Sequence, residues 1–163
     1  MKLILACTAM ALLSTAVELA RVASRRSNST ANIYRTANIT PVPQQILKVR
    51  FGNVEVFPGM EIRPSVAKDL PRIDFDYEIG RYYTFIVISK TWPFPYDPFL
   101  SPSVLALYVD IYGGPGRIVI GNSSEIATWV GPCPPPGSGS HQYLLFVYRQ
   151  RGILDTTDEQ LRR

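Results

Sequence analysis

Two near-continuous apolar runs, Tyr82-Tyr-Thr-Phe-Ile-Val-Ile-Ser89 and Val104-Leu-Ala-Leu-Tyr-Val-Asp-Ile-Tyr112, constrain the fold more than any other feature of the chain. β-Branched and aromatic side chains dominate both, and neither shows the polar face of a surface helix. Such runs suit strands buried on both faces at the centre of a sheet or sandwich. The fourteen prolines and eleven glycines among 163 residues argue against long helices and for short strands joined by turns.

Weaker strand signals surround this pair. Residues 46–51 (Ile-Leu-Lys-Val-Arg-Phe) and 54–57 (Val-Glu-Val-Phe) flank Gly52-Asn53, the pattern of a hairpin. Residues 72–77 alternate again, 117–120 and 126–130 carry short β-branched runs, and 142–150 form a final apolar stretch. Residues 90–103 make a long loop holding Trp92, Pro93, Phe94, Pro95, Tyr96 and Pro98, and only 156–163 look helical. No repeat is visible. The expected class is mainly β, a sandwich with Greek-key connections and few short helices, in one domain over residues 45–163.

Residues 1–20 read as a secretory signal peptide. Met1-Lys2 precedes an apolar run to Leu13, shorter than a bilayer span, and small residues allow cleavage after Ala16 or Ala20. The alternatives are an uncleaved anchor and a mitochondrial presequence, the latter favoured by Arg21, Arg25 and Arg26. Residues 21–44 form a polar, flexible lead-in. In a secreted chain, Asn28, Asn38 and Asn122 become acceptors for N-glycosylation. Cys7 leaves with the signal, so Cys133 is a free thiol or an intermolecular link.

Composition excludes several classes. A net charge of +4, with its arginines scattered, gives no stripe for nucleic acid. One histidine and two cysteines leave no metal-ligand spacing, and no cofactor motif is present. Enzyme chemistry fares poorly: no Gly-x-Ser-x-Gly elbow accompanies His141 with Asp97 or Asp110 as orienting acid, and the spacing of Cys133 from His141 does not establish a thiol pair. The chain is expected to be a monomeric, non-catalytic protein.

The chemistry concentrates in Gly131-Pro-Cys-Pro-Pro-Pro-Gly-Ser-Gly-Ser-His141-Gln-Tyr143. Proline fixes the backbone and glycine lets it approach a guest, so this loop holds a set shape. His141 and Tyr143 are two apart on an extended segment and therefore share a face. The residues alone admit either a pocket rim or an ordinary surface turn ahead of a core strand.

The register of this loop resembles the phosphatidylethanolamine-binding protein family, also called the Raf kinase inhibitor protein family. Gly131, Pro134, Pro135, Gly137, Gly139, His141, Tyr143, Tyr148 and Gln150 fall in order on its late Gly-x-x-Pro-Pro-x-Gly-x-Gly-x-His-x-Tyr loop and Tyr-x-Gln strand end. Tyr83-Thr84 resembles the strand entering the family's Asp-Pro-Asp-Ala-Pro loop, Asp97-Pro98 its later Asp-Pro, and Asp110-Ile-Tyr-Gly113 its Asn-Ile-x-Gly. The resemblance implies a β-sandwich with a small anion pocket for a phospholipid head group or another small anionic ligand. His141 and Tyr143 would face the ligand, while Gly131, Pro135 and Pro93 shape the rim. It also implies partner binding through surface loops, as in kinase or protease inhibition, for which residues 92–100 offer an aromatic surface.

The departures predict a degenerate pocket. Ser89 and Thr91 fall where the family has its two aspartates, Leu105 where it has a second pocket histidine, and Cys133 where the loop has glycine. An aspartate beside a histidine orients the ring, so its loss leaves His141 a weaker donor. Lys90 offers replacement charge or is simply solvated. The family pattern continues past Arg163, so the chain reads as C-terminally truncated. A non-functional truncated relative is the remaining alternative.

Overall fold

The computed structural model describes Pro43 and residues 45–159, so the expected signal peptide, most of the lead-in, Asn28 and Asn38 lie outside the described residues. From Gln45 onward the chain forms one compact unit. Three short strands, β1 (Lys48–Phe51), β2 (Val54–Val56) and β3 (Arg72–Asp74), make a sheet in the order β2-β1-β3. A larger sheet has the order β6-β5-β4-β7, with β4 at Tyr82–Ser89, β5 at Ser103–Tyr112, β6 at Ser124–Ala127 and β7 at Tyr143–Arg149. All pairings are antiparallel. Strands β4, β5 and β6 are sequential neighbours, and β7 returns to lie beside β4, the Greek-key arrangement.

Side-chain alternation explains why these segments pair as they do. In β4, Tyr83, Phe85, Val87 and Ser89 point into the core, and the residues between them are half-buried. They meet Val49, Phe51 and Ile73 from the smaller sheet and Leu105, Ala106, Tyr108 and Ile111 from β5 in one apolar cluster. Each large apolar side chain taken from water here contributes about 1.5–3 kcal/mol. The β1–β2 turn places Gly52 at φ 55°, a left-handed conformation that glycine adopts without strain.

Four expectations need correction. β4 and β5 are the inner strands of their sheet, but the outer face of β4 is half-covered rather than fully buried. Residues 117–120 do not form a strand. Ile118 and Ile120 plug the core while Val119 faces outward, yet β6 already occupies the outer edge of β5, and the chain closes into a 3-10 turn at Ile120–Asn122. The next strand begins earlier than 126 and ends at Ala127, because Trp129 turns inward. Its ring packs 6.0 Å from that of Phe51, and its indole N–H donates to the Lys68 carbonyl at 3.0 Å. Of the tail read as helical, Thr156 and Thr157 form a turn and residues 160–163 lie outside the described set.

Gln150 fastens the end of β7 to the sheet. Its backbone N–H donates to Tyr82 O at 2.8 Å. Its side-chain Oε1 accepts from Asp110 N at 2.8 Å and Thr84 Oγ1 at 3.2 Å, and Nε2 donates to Asp110 Oδ1 at 2.8 Å and Gly152 O at 3.0 Å. Asp110 sits at φ 59°, a conformation that aspartate tolerates better than most residues, and its carboxylate also accepts from Leu154 N at 2.9 Å.

Just beyond β5, Gly113 exchanges backbone hydrogen bonds with the start of β4, donating to Arg81 O and accepting from Gly80 N, both at 2.8 Å. A Cβ on Gly113 would stand 2.7 Å from the Glu78 carbonyl and 3.2 Å from that of Arg81. Backbone cannot retreat as a flexible side chain does. Gly113→Ala is therefore expected to destabilise the fold by about 1–3 kcal/mol in urea denaturation. Gly152→Ala, where nothing lies within 4 Å, serves as the control and shifts stability by less than about 0.5 kcal/mol.

Candidate functional site

The pairing of Ser89 with Ser103 and Tyr143 brings three strand ends to one edge of the large sheet. The loop that follows β4 and the Pro/Gly loop that precedes β7 meet there. Lys90 N–H donates to Gln142 O at 3.0 Å, and Gln142 N–H donates to Thr91 Oγ1 at 2.9 Å. Thr91 is thus a backbone clamp. Ser89 is buried at 1% exposure, and its Oγ lies 3.5 Å from Thr91 N. Leu105 lines the same end of β5 as part of the core.

His141 and Tyr143 do share a face: their rings stack with centroids 6.5 Å apart and planes at 25°. The ring of His141 is oriented by Ser138, a residue that sequence reasoning passed over. Ser138 Oγ donates to the Pro135 carbonyl at 2.6 Å and lies 2.7 Å from His141 Nε2. A carbonyl can only accept and the hydroxyl has one proton, so Nε2 must carry the hydrogen of the second contact. Nδ1 then points elsewhere, buried and without a partner, and the Tyr143 hydroxyl is in the same state. Burial, and after it the nearby Cys133 sulfur, pushes the Tyr143 phenol above its usual range, so it stays a neutral donor.

The remaining predicted residues take structural places. Pro135 supplies the carbonyl that accepts from both the amide and the hydroxyl of Ser138. Gly131 packs on another segment: a Cβ there would lie 3.1 Å from Lys68 O and 3.2 Å from its Cα. Pro93 is half-buried in the loop after β4. Cys133 is a free, exposed thiol, and Asn122 is exposed. Glu61 reaches the rim through Ser140 Oγ, 3.2 Å from its carboxylate.

A concavity with charged walls lies elsewhere, at the opposite end of β7. It has a volume of about 340 Å³ and is lined by Arg81, Arg149, Gln150 and Arg151. The sequence carried one signal for it, arginines flanking Gln150 at alternate positions. Arg81 is remote in sequence, and only the β4–β7 pairing brings it alongside.

The family model for phosphatidylethanolamine-binding protein matches residues 104–162. The chain is 27% identical over 120 residues to odorant-binding protein A5 of Drosophila melanogaster, covering 73% of this chain and 55% of that protein. It is 32% identical over 107 residues to protein FLOWERING LOCUS T of Arabidopsis thaliana, covering 65% and 58%. To CEN-like protein 1 of Nicotiana tabacum it is 33% identical over 102 residues, covering 62% and 56%. The chain thus spans just over half the length of these curated relatives. Among solved structures, it resembles a carboxypeptidase Y inhibitor complexed with the cognate proteinase, with a TM-score of 0.69, 18% identity, and coverage of 80% of this chain and 76% of that one. That likeness concerns the fold. The chain is thus similar in sequence to phosphatidylethanolamine-binding protein over residues 104–162, and to these relatives over longer stretches.

Proposed function

We propose that the protein is a secreted, non-catalytic binding protein that takes a phospholipid head group or a small amphiphile at the His141–Tyr143 rim. One observation carries this reading: Nδ1 of His141 and the hydroxyl of Tyr143, stacked side by side, are both buried without a hydrogen-bond partner. A buried polar group left unpaired costs about 1–3 kcal/mol. A guest that meets both atoms recovers that loss, once the rim parts to admit it. The degenerate surroundings narrow the guest. Ser89 and Thr91 supply hydroxyls in place of carboxylates, and Leu105 supplies apolar surface, which favours a ligand with an apolar portion beside its polar head.

The tautomer fixed by Ser138 distinguishes two guests. An anionic oxygen can bind Nδ1 only if that nitrogen gains a proton, whereas a hydroxyl or ammonium donor meets its lone pair directly. Calorimetry with phosphorylethanolamine in two buffers of different ionisation enthalpy is expected to show uptake of one proton for the phosphoryl mode. Tyr143→Phe is expected to weaken binding about tenfold without destabilising the free protein, because phenylalanine removes an unpaired buried hydroxyl. Unchanged affinity in Tyr143→Phe sinks the site.

Secretion rests on the amino-terminal pattern and the exposed Asn122 sequon. Mass spectrometry of protein from a eukaryotic culture medium is expected to find an amino terminus at Val17 or Arg21 and glycan on Asn122. Retention of Met1 in intracellular protein counts against it.

A second reading, inhibition of a protease, is favoured by the loop after β4. Tyr96, Phe99 and Leu100 are 79%, 66% and 54% exposed, and the Phe94 and Tyr96 rings stack at 5.3 Å. Exposed aromatic side chains of this kind anchor protein interfaces. The structurally similar inhibitor was solved with its proteinase, which makes carboxypeptidase Y the first enzyme to assay. Inhibition by the wild type that falls at least about tenfold in Tyr96→Ala/Phe99→Ala supports this reading. Equal inhibition by both proteins removes it.

A further inference from the structure

The arginine-lined concavity at the far end of β7 is not part of the His141 rim. β7 runs seven residues from Tyr143 to Arg149, which separates the two places by about 20 Å. Arg81 enters at the start of β4, Arg149 closes β7, and Arg151 follows. Glu78 pairs with Arg81 at 3.4 Å and also binds Arg149, so one carboxylate is shared between two guanidinium groups. The other nearby carboxylate, Asp110, is held by Gln150 and Leu154 N. Arg151 has no hydrogen-bond or ion-pair partner among the described residues. Positive charge is therefore in excess around the cavity.

The backbone that carries these arginines is held firmly. Gln150, between Arg149 and Arg151, makes its four side-chain hydrogen bonds to Thr84, Asp110 and Gly152. The cavity thus has a hydrogen-bonded floor and cationic walls. Guanidinium groups bind tetrahedral oxyanions through paired N–H donors, and convergent arginines are the usual receptor for them. A volume of about 340 Å³ exceeds what a bare ion fills and lies at the lower end of small-ligand clefts, about 300–1,000 Å³.

We propose that Arg81, Arg149 and Arg151 form a second binding site, for a phosphomonoester dianion, independent of the His141 rim. The phosphoryl oxygens bridge the guanidinium groups, Arg151 supplies the uncommitted charge, and Glu78 competes with the ligand for Arg81 and Arg149. The phosphoryl group comes from a small metabolite or from the head of an anionic lipid.

Calorimetry of the whole chain with glycerol 3-phosphate, and co-sedimentation with phosphatidylcholine vesicles with and without phosphatidic acid, test the site and separate the two sources. Arg151→Gln, which breaks no hydrogen bond or ion pair among the described residues, is expected to weaken binding about tenfold, and Arg81→Gln/Arg149→Gln at least as much. Glu78→Gln removes the competing carboxylate and is expected to tighten binding about threefold, an effect that a merely structural role would not produce. His141→Ala leaves this binding unchanged, so failure here and failure at the rim are read separately. Binding to both probes or to either one supports the site, and binding to vesicles alone assigns the lipid source. Absence of binding to both probes, or equal affinity in Arg151→Gln, overturns it.

Discussion

β4 is the strand on which the rest of the structure depends, because in the large sheet it is paired along its length on both sides. β5 takes one edge and β7 the other, and its inward side chains meet the small sheet. A strand in that position must satisfy two ladders and a packed face at once, which fixes its register strongly. Everything with chemical potential is then placed by its two ends. At Ser89 it gathers the Pro/Gly loop and the His141–Tyr143 pair, and at Tyr82 it gathers the arginines. The two ends differ in character, one with buried unpaired polar atoms, the other open and cationic.

Much of this was legible in the sequence because side-chain period and turn chemistry agreed. The run at 82–89 became β4 residue for residue, and the strand period places Tyr83, Phe85 and Val87 together on the buried face. The Gly52-Asn53 hairpin formed because glycine stands where φ is positive. Residues 117–120 carried the same alternation and failed as a strand. Ile118 and Ile120 are buried as the alternation requires, but β6 already holds the outer edge of β5. Pattern reports which side chains go inward; pairing depends on vacancies that only the assembled sheet defines.

The site divides the same way. His141 and Tyr143 were readable because a two-residue spacing fixes their common face, and the ordered glycines and prolines around them match a family loop. Ser138 was not readable. Its role depends on Oγ meeting both the Pro135 carbonyl and the imidazole, a coincidence of loop geometry at three-residue spacing that has no periodic signature. Gly131, read as rim, also allows the loop to lie against Lys68, where a side chain would crowd backbone. The arginine cavity needed the pairing of strands more than sixty residues apart. Long-range juxtaposition of this kind leaves no trace in local sequence.

The Greek-key return of β7 also governs the order of assembly. β4, β5 and β6 pair with strands next to them in sequence, whereas Gln150 must find Thr84 across a separation of 66 residues. Closing so long a loop loses entropy before any contact repays it, so docking of β7 is a slow, late event relative to the local hairpins. The stacked pair at one end of β7 and the arginines at the other exist only after that docking. A ligand for either place cannot template early folding. It acts instead as a latch on a finished barrier crossing, slowing unfolding far more than it speeds the forward reaction.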